Sequence, residues 1–289
     1  MKKKRITLSW VLVFALAIAS CDKDEPLVVE DPTAGLLPAP VEGLTTENGY
    51  TFHFYSADGK LTRGYTEIFI ALTGADGKWV DDFTVSRFHP LMDMGEHKHA
   101  TPVGKVEKVE GKALYKTWFG FLMYTGQMDG KWVLDFNYTI SQTEGKITGA
   151  VPQVDPYPTE NAKWIQSFKI GDETYYLTIG SPLALKEGSN ILKAYINKVE
   201  DSLLPYETVD GGYKIEIDPR MPDMDNHSSP NNKALEWDAQ EGIYKGTLNL
   251  SMTGHWRINL KVLSTTGDLI GGTDVEGAGN STLYWDIHI

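Results

Sequence analysis

The 289-residue chain predicts an all-β protein built as two tandem antiparallel β-sandwich domains, and three observations carry that expectation. Long amphipathic helical patterns are absent. Short runs alternate apolar and polar residues between Gly, Asn and Pro punctuation, the period expected of half-buried strands. A pair of motifs recurs downstream in the same order and at nearly constant spacing, as a duplicated sandwich would show.

Taken in order, Met1 to Ser20 has a basic start (Lys2, Lys3, Lys4, Arg5) and an apolar run from Ile6 to Ile18. That run is too short to span a bilayer and reads as a secretory signal. Ile18-Ala19-Ser20-Cys21 resembles the bacterial lipobox, and Cys21 is the single cysteine of the chain. The resemblance implies cleavage before Cys21 and lipidation of its thiol. The expected location is therefore the bacterial cell envelope, lipid-anchored, at the outer membrane and open to surface exposure. Residues 21–43 begin with Asp22-Lys23-Asp24-Glu25 and carry Pro26, Pro32, Pro38 and Pro40, the composition of an extended tether.

The full chain has a formal net charge of −12, and loss of the four basic leader residues makes the mature protein more acidic still. Nucleic acid is a poor partner for such a surface, whereas cations are favoured.

Residues 44–150 hold the first set of alternating runs, among them Tyr50–Tyr55, Glu67–Leu72, Phe83–Phe88, Leu114–Phe119 and Trp132–Tyr138. Residues 151–162, with Pro152, Pro156 and Pro158, read as a linker. Residues 163–289 repeat the order with Tyr175–Ile179, Asn190–Ile196, Tyr213–Ile217 and Gly242–Leu250.

Two features recur inside this pattern. Asp93-Met94-Gly95-Glu96-His97 aligns with Asp223-Met224-Asp225-Asn226-His227, and Met128-Asp129-Gly130-Lys131-Trp132 aligns with Met252-Thr253-Gly254-His255-Trp256. Together they resemble the YtkA-like family, which is related to FixH-like proteins, in two copies. The resemblance implies small exported Ig-like β-sandwich domains that act in copper handling or metallo-oxidase assembly. A copper-accepting envelope protein is the partner such a role would call for.

Thioether sulfur beside imidazole nitrogen is the ligand mixture that suits copper, so a metal site leads the readings. The candidate ligands are Met92, Met94, His97 and His99 in the first copy and Met221, Met224 and His227 in the second. His89, His255, Met128 and Met252 are additional candidates. The plainer reading makes the methionines packing residues and Asp93 and Asp223 loop caps.

No nucleophile-elbow, zinc-protease or phosphate-loop motif occurs, so the expectation is a protein that is not an enzyme. A blue-copper carrier is disfavoured because its site needs a thiolate. The alternative function is a cell-surface interaction or carbohydrate-binding module without metal, using Trp79, Tyr115, Trp118, Tyr124 and Trp164 as a ligand face.

Overall fold

The computed structural model describes residues 31–159, 162–277 and 279–289. The leader, Cys21 and the first part of the tether lie outside the described residues. Among the described residues there is no α-helix, only three 3₁₀ turns between strands. The all-β, antiparallel expectation is met.

The first half contains β1 (Thr51–Ser56), β2 (Gly64–Thr73), β3 (Phe83–Asp93), β4 (Lys98–His99), β5 (Tyr115–Phe121), β6 (Lys131–Ile140) and β7 (Thr143–Pro152). One sheet runs from the Leu37–Pro38 strand through β1, β2 and β5 to Glu107–Lys108. The other runs from Val41–Glu42 through β7, β6 and β3 to β4. Strand β1 buries Phe52, Phe54 and Ser56 and leaves the residues between them partly exposed, the alternation that period two requires. Its following turn is fixed chemically: Asp58 Oδ1 accepts from Lys60 N at 3.1 Å, and Gly59 takes φ 73°.

The second half contains β8 (Ile165–Ile170), β9 (Glu173–Gly180), β10 (Gly188–Val199), β11 (Tyr213–Met221), β12 (His227–Ser228), β13 (Lys233–Asp238), β14 (Ile243–Leu250), β15 (His255–Ser264), β16 (Leu269–Gly272) and β17 (Leu283–His288). The order β8-β9-β10-β14-β13-β11-β15-β16 is continuous because β13 pairs both β14 and β11. Strand β17 pairs β15, and β12 pairs β11. In each half the first, second and fourth principal strands adjoin (β1-β2-β5 and β9-β10-β14). So do the third and fifth (β3-β6 and β11-β15).

Two segments differ from the sequence expectation. Leu37–Pro38 and Val41–Glu42, placed in the tether, are edge strands paired with β1 and β7, because each finds an open ladder edge there. The expected linker is also structured at its start. Val154–Asp155 pairs in parallel with Leu61–Thr62, and Val154 is buried.

A bulge in β3 decides which way the candidate ligands face. Phe83 and Val85 point into the core, Ser86 and Arg87 are both exposed, and Phe88, Pro90 and Met92 then point inward. The ladder to β6 skips between Asp135↔His89 and Asn137↔Ser86, and Arg87 adopts φ 52°. One extra residue on β3 thus inverts the alternation, which turns Met92 inward and His89 to the opposite face.

Each half has its own hydrophobic cluster, and residues 32–289 form one compact unit. The halves meet at an aromatic stack. Trp118 and Tyr195 rings lie 4.1 Å apart, and Tyr65 stacks on Tyr195 at 5.7 Å with an 11° interplanar angle. Burial pushes the Tyr195 phenol up to about 12 and raises Tyr65 further, so both remain neutral. Backbone contacts continue the junction: Ala100 N donates to Ser202 O at 2.6 Å, and Pro102 bridges Tyr206 in parallel.

Trp118 is 7% exposed, so Trp118→Ala removes the centre of this stack. The expected loss is about 3–5 kcal/mol of unfolding free energy, measured by urea denaturation, with Trp118→Phe losing less. A loss below about 1 kcal/mol would show that the stack does not hold the halves together.

Candidate metal centre

Strands β6, β3 and β4 are neighbours, and their register sets three side chains in one row. Trp132 pairs with Met92, and Met92 pairs with His99. Directly opposed residues share a sheet face, so indole, thioether and imidazole lie side by side. Trp132 and Met92 are fully buried, while His99 is half-buried at the rim. The His99 and Trp132 rings are 5.7 Å apart at 84°.

Met123, in the segment after β5, completes the cluster. Trp132 Nε1 donates to Met123 O at 3.0 Å and so holds that residue against the row. Met123 Sδ lies 3.3 Å from His99 Nε2. His99 Nδ1 lies 2.8 Å from Ala100 O, which can only accept, so Nδ1 carries the proton and Nε2 presents a lone pair to the sulfur. Burial holds the His99 pKa below its ordinary 6.5, which favours this neutral form. Two lone-pair donors therefore face each other without a hydrogen between them. Metal bonds of about 2.0 Å to nitrogen and 2.3 Å to sulfur reach across such a gap.

Met92 and Met94 converge on Gly130. A Cβ there would stand 2.8 Å from Met92 Sδ and 2.8 Å from Met94 Cγ, so a larger residue would force these side chains to shift. Met94 is half-buried against the same core. Among the described residues, no three His, Cys, Asp or Glu side chains form a metal-holding group. One thioether, that of Met123, meets the imidazole, and the Met92 and Met94 side chains meet each other at Gly130.

The other candidates fall elsewhere. His97 is exposed on the turn, where its carbonyl accepts from Met94 N at 3.0 Å. His89 Nε2 contacts Leu203 O at 2.7 Å and so serves the junction between halves. Met128 is 72% exposed on the 3₁₀ turn Gln127–Asp129 and does not reach the row. Asp93 accepts from Gly95 N at 2.9 Å and Lys98 Nζ at 2.8 Å, and these bonds hold its carboxyl below the usual carboxylate range. It caps the turn.

In the second half Met221 pairs directly with His227 across β11 and β12, as Met92 does with His99. The structural counterpart of His227 is therefore His99, not the His97 that the shared Asp-Met-x-x-His spacing selected. Met221 is buried beside Gly254, whose φ of 132° disfavours any larger residue, and a Cβ there would stand 2.8 Å from Met221 Cε. His227 and Met224 are exposed. Met252 packs on the core, and its carbonyl accepts from Trp256 Nε1 at 3.0 Å. His255 stacks on His288 at 4.6 Å and is flanked by Asp223 (3.2 Å) and Asp286 (3.4 Å). The two loops thus share a ladder pair and differ in donor chemistry.

Four of the five aromatics of the alternative reading are engaged in separate places. Trp118 is in the junction between halves, Trp164 is buried and donates to Asp286 O, Tyr115 donates to Phe83 O, and Trp79 packs on His53.

Met123 escaped the sequence reading because it lies in no repeated motif. Its only signal was a second methionine shortly before Met128.

No curated protein matches the chain. A family model described as YtkA-like matches residues 171–261, which run from the start of β9 through most of β15 and include Met221, Met224, His227, Met252 and His255. The second half is therefore similar to the YtkA-like family.

Proposed function

We propose that this chain is an exported, lipid-anchored protein that binds copper(I) in its first half. His99 Nε2 and Met123 Sδ supply the facing donors, and Met92 and Met94 supply the adjoining thioethers. The observation that carries this reading is the 3.3 Å pair of the His99 Nε2 and the Met123 thioether sulfur beside Met92 and Trp132. Soft donors of this kind select the reduced ion. Bound copper would give these residues an acceptor for lone pairs that otherwise oppose one another, and Trp132 and Gly130 lie against the sulfur-bearing residues.

The YtkA-like match lies in the second half, and we read the first half as a second copy on the strength of the common strand order and the equivalent Met–His ladder pairs. In the second half the exposed His227 and Met224 make a weaker, open site. The physiological partner of this reading is an envelope protein that accepts or donates copper, and the membrane attachment is through Cys21.

Competition against a Cu(I) chelator tests the site. His99→Ala and Met123→Leu should each weaken affinity by at least about tenfold, since even outer partners of metal ligands cost that much. His97→Ala should leave it unchanged. Equal affinities for all four proteins would remove copper and favour the interaction-module reading.

The pH dependence has a definite sign. Burial lowers the His99 pKa from 6.5, so the unfolded chain takes up a proton in mild acid before the folded one does. The associated stability is present above pH 6.5 and is lost as pH falls through the folded value. His53 is lowered by burial as well and adds to the effect. Thermal melts from pH 7.5 to about 5 should therefore show falling stability, with a shallower slope in His99→Gln. Cu(I) affinity should stay level down to the ordinary histidine range and decline only below it.

The anchor is tested separately. Cys21→Ser should release the protein from salt-washed membranes, because a single acylated terminus is the attachment proposed. Retention of the variant in the membrane fraction would refute the lipid anchor.

A further inference from the structure

A groove of about 840 Å³ is lined by His99 and Met123 together with Arg63, Tyr157, Lys163, Gln166 and Tyr176. Its chemistry is opposite to that of the chain. The protein carries a net charge of −12, yet the groove lining contains two cations and no carboxylate. Among the described residues neither Arg63 nor Lys163 forms an ion pair.

Both cations are held in place without being neutralised. Arg63 Nε donates to Leu122 O at 2.8 Å and its guanidinium lies 4.7 Å over the Tyr157 ring. That anchors the stem and leaves the terminal guanidinium nitrogens uncommitted. Lys163 Nζ sits 4.0 Å over the Tyr284 ring. Aromatic faces fix a cation's position but leave its charge available to an anion. Within the lining, Tyr176 stacks on the buried Tyr206 at 5.4 Å and 14°.

We infer that this groove is a binding site for a small organic acid carrying two or more carboxylates. Arg63 offers a planar fork that matches one carboxylate, and Lys163 offers a point charge for a second. Tyrosine hydroxyls and the Gln166 amide complete a polar lining for the remaining oxygens. A volume of this size exceeds what one carboxylate fills and suits a molecule of several carbons. The site borders the candidate metal centre, but its cations and walls exist without copper.

Calorimetric titration of the purified, metal-free protein at low ionic strength tests the inference, and its failure leaves the copper reading untouched. Citrate should bind. Acetate and inorganic phosphate should bind at least about tenfold more weakly, because neither places carboxylates on both cations. Arg63→Gln and Lys163→Gln should each weaken citrate by about tenfold, the usual cost of losing a charge-assisted hydrogen bond. Lys169→Gln, an exposed cation outside the groove, should bind citrate as wild type does. Thermal melts of each variant confirm that it is folded, and Lys163→Gln preserves every backbone contact. No heat with citrate, phosphate binding as tightly as citrate, or undiminished affinity in folded Arg63→Gln and Lys163→Gln would each overturn the proposal.

Discussion

The pairing of β3 with β6, including its bulge at Arg87, is the constraint on which the site depends. A strand has a strict period of two, so a single extra residue exchanges its inward and outward faces. Before the bulge Phe83 and Val85 fill the core; after it Phe88, Pro90 and Met92 do. Without that inversion Met92 would face solvent and His89 the interior. The same ladder places Trp132 against Met92, and the edge strand β4 adds His99 to the row. The indole then holds the Met123 carbonyl, which delivers a sulfur from a distant part of the chain. One register therefore brings together an indole, an imidazole and thioethers from four segments.

The second half uses the same ladder logic with another outcome. Met221 and His227 are paired as Met92 and His99 are, and glycine again clears space for a thioether, Gly254 for Met221 and Gly130 for Met92. The shared aspartates diverge: Asp93 is committed to Lys98 and a turn N–H, whereas Asp223 meets His255. Near it, Arg257 grips the buried Asp286 through two hydrogen bonds of 2.8 and 2.7 Å, so this end of the sheet is tied by charge pairs rather than thioethers. Hard ionic contacts and soft donors occupy corresponding ends of the two halves.

The junction between halves joins structure to site. The stack of Tyr65, Trp118 and Tyr195 buries aromatic area that neither half buries alone, and His89 and Ala100 make polar contacts to the 202–206 segment. Ala100 directly follows His99, and Ser202 and Tyr206 line the same groove as its imidazole. The imidazole is thereby kept partly dry, which keeps it neutral and its Nε2 lone pair available.

Much of this was legible in the sequence. Alternation gave the strands, because burial of every second residue is imposed by local geometry. The recurring Met/His loops and Gly-Trp strand starts marked the row's location and named Met92, Met94 and His99. Spacing could not choose between His97 and His99, since two residues on one turn differ only in which finds a ladder partner. It could not predict that His89 would turn away, because the bulge at Arg87 leaves no composition signal. Residues 37–42 read as tether because an edge strand needs an open neighbour, and that neighbour is far along the chain. Met123 and the cationic groove arise from contacts between segments distant in sequence. Local periodicity thus determined the fold class and the residue types at the site, and only tertiary register decided which of them meet, because a strand's partner is fixed by packing across the whole chain.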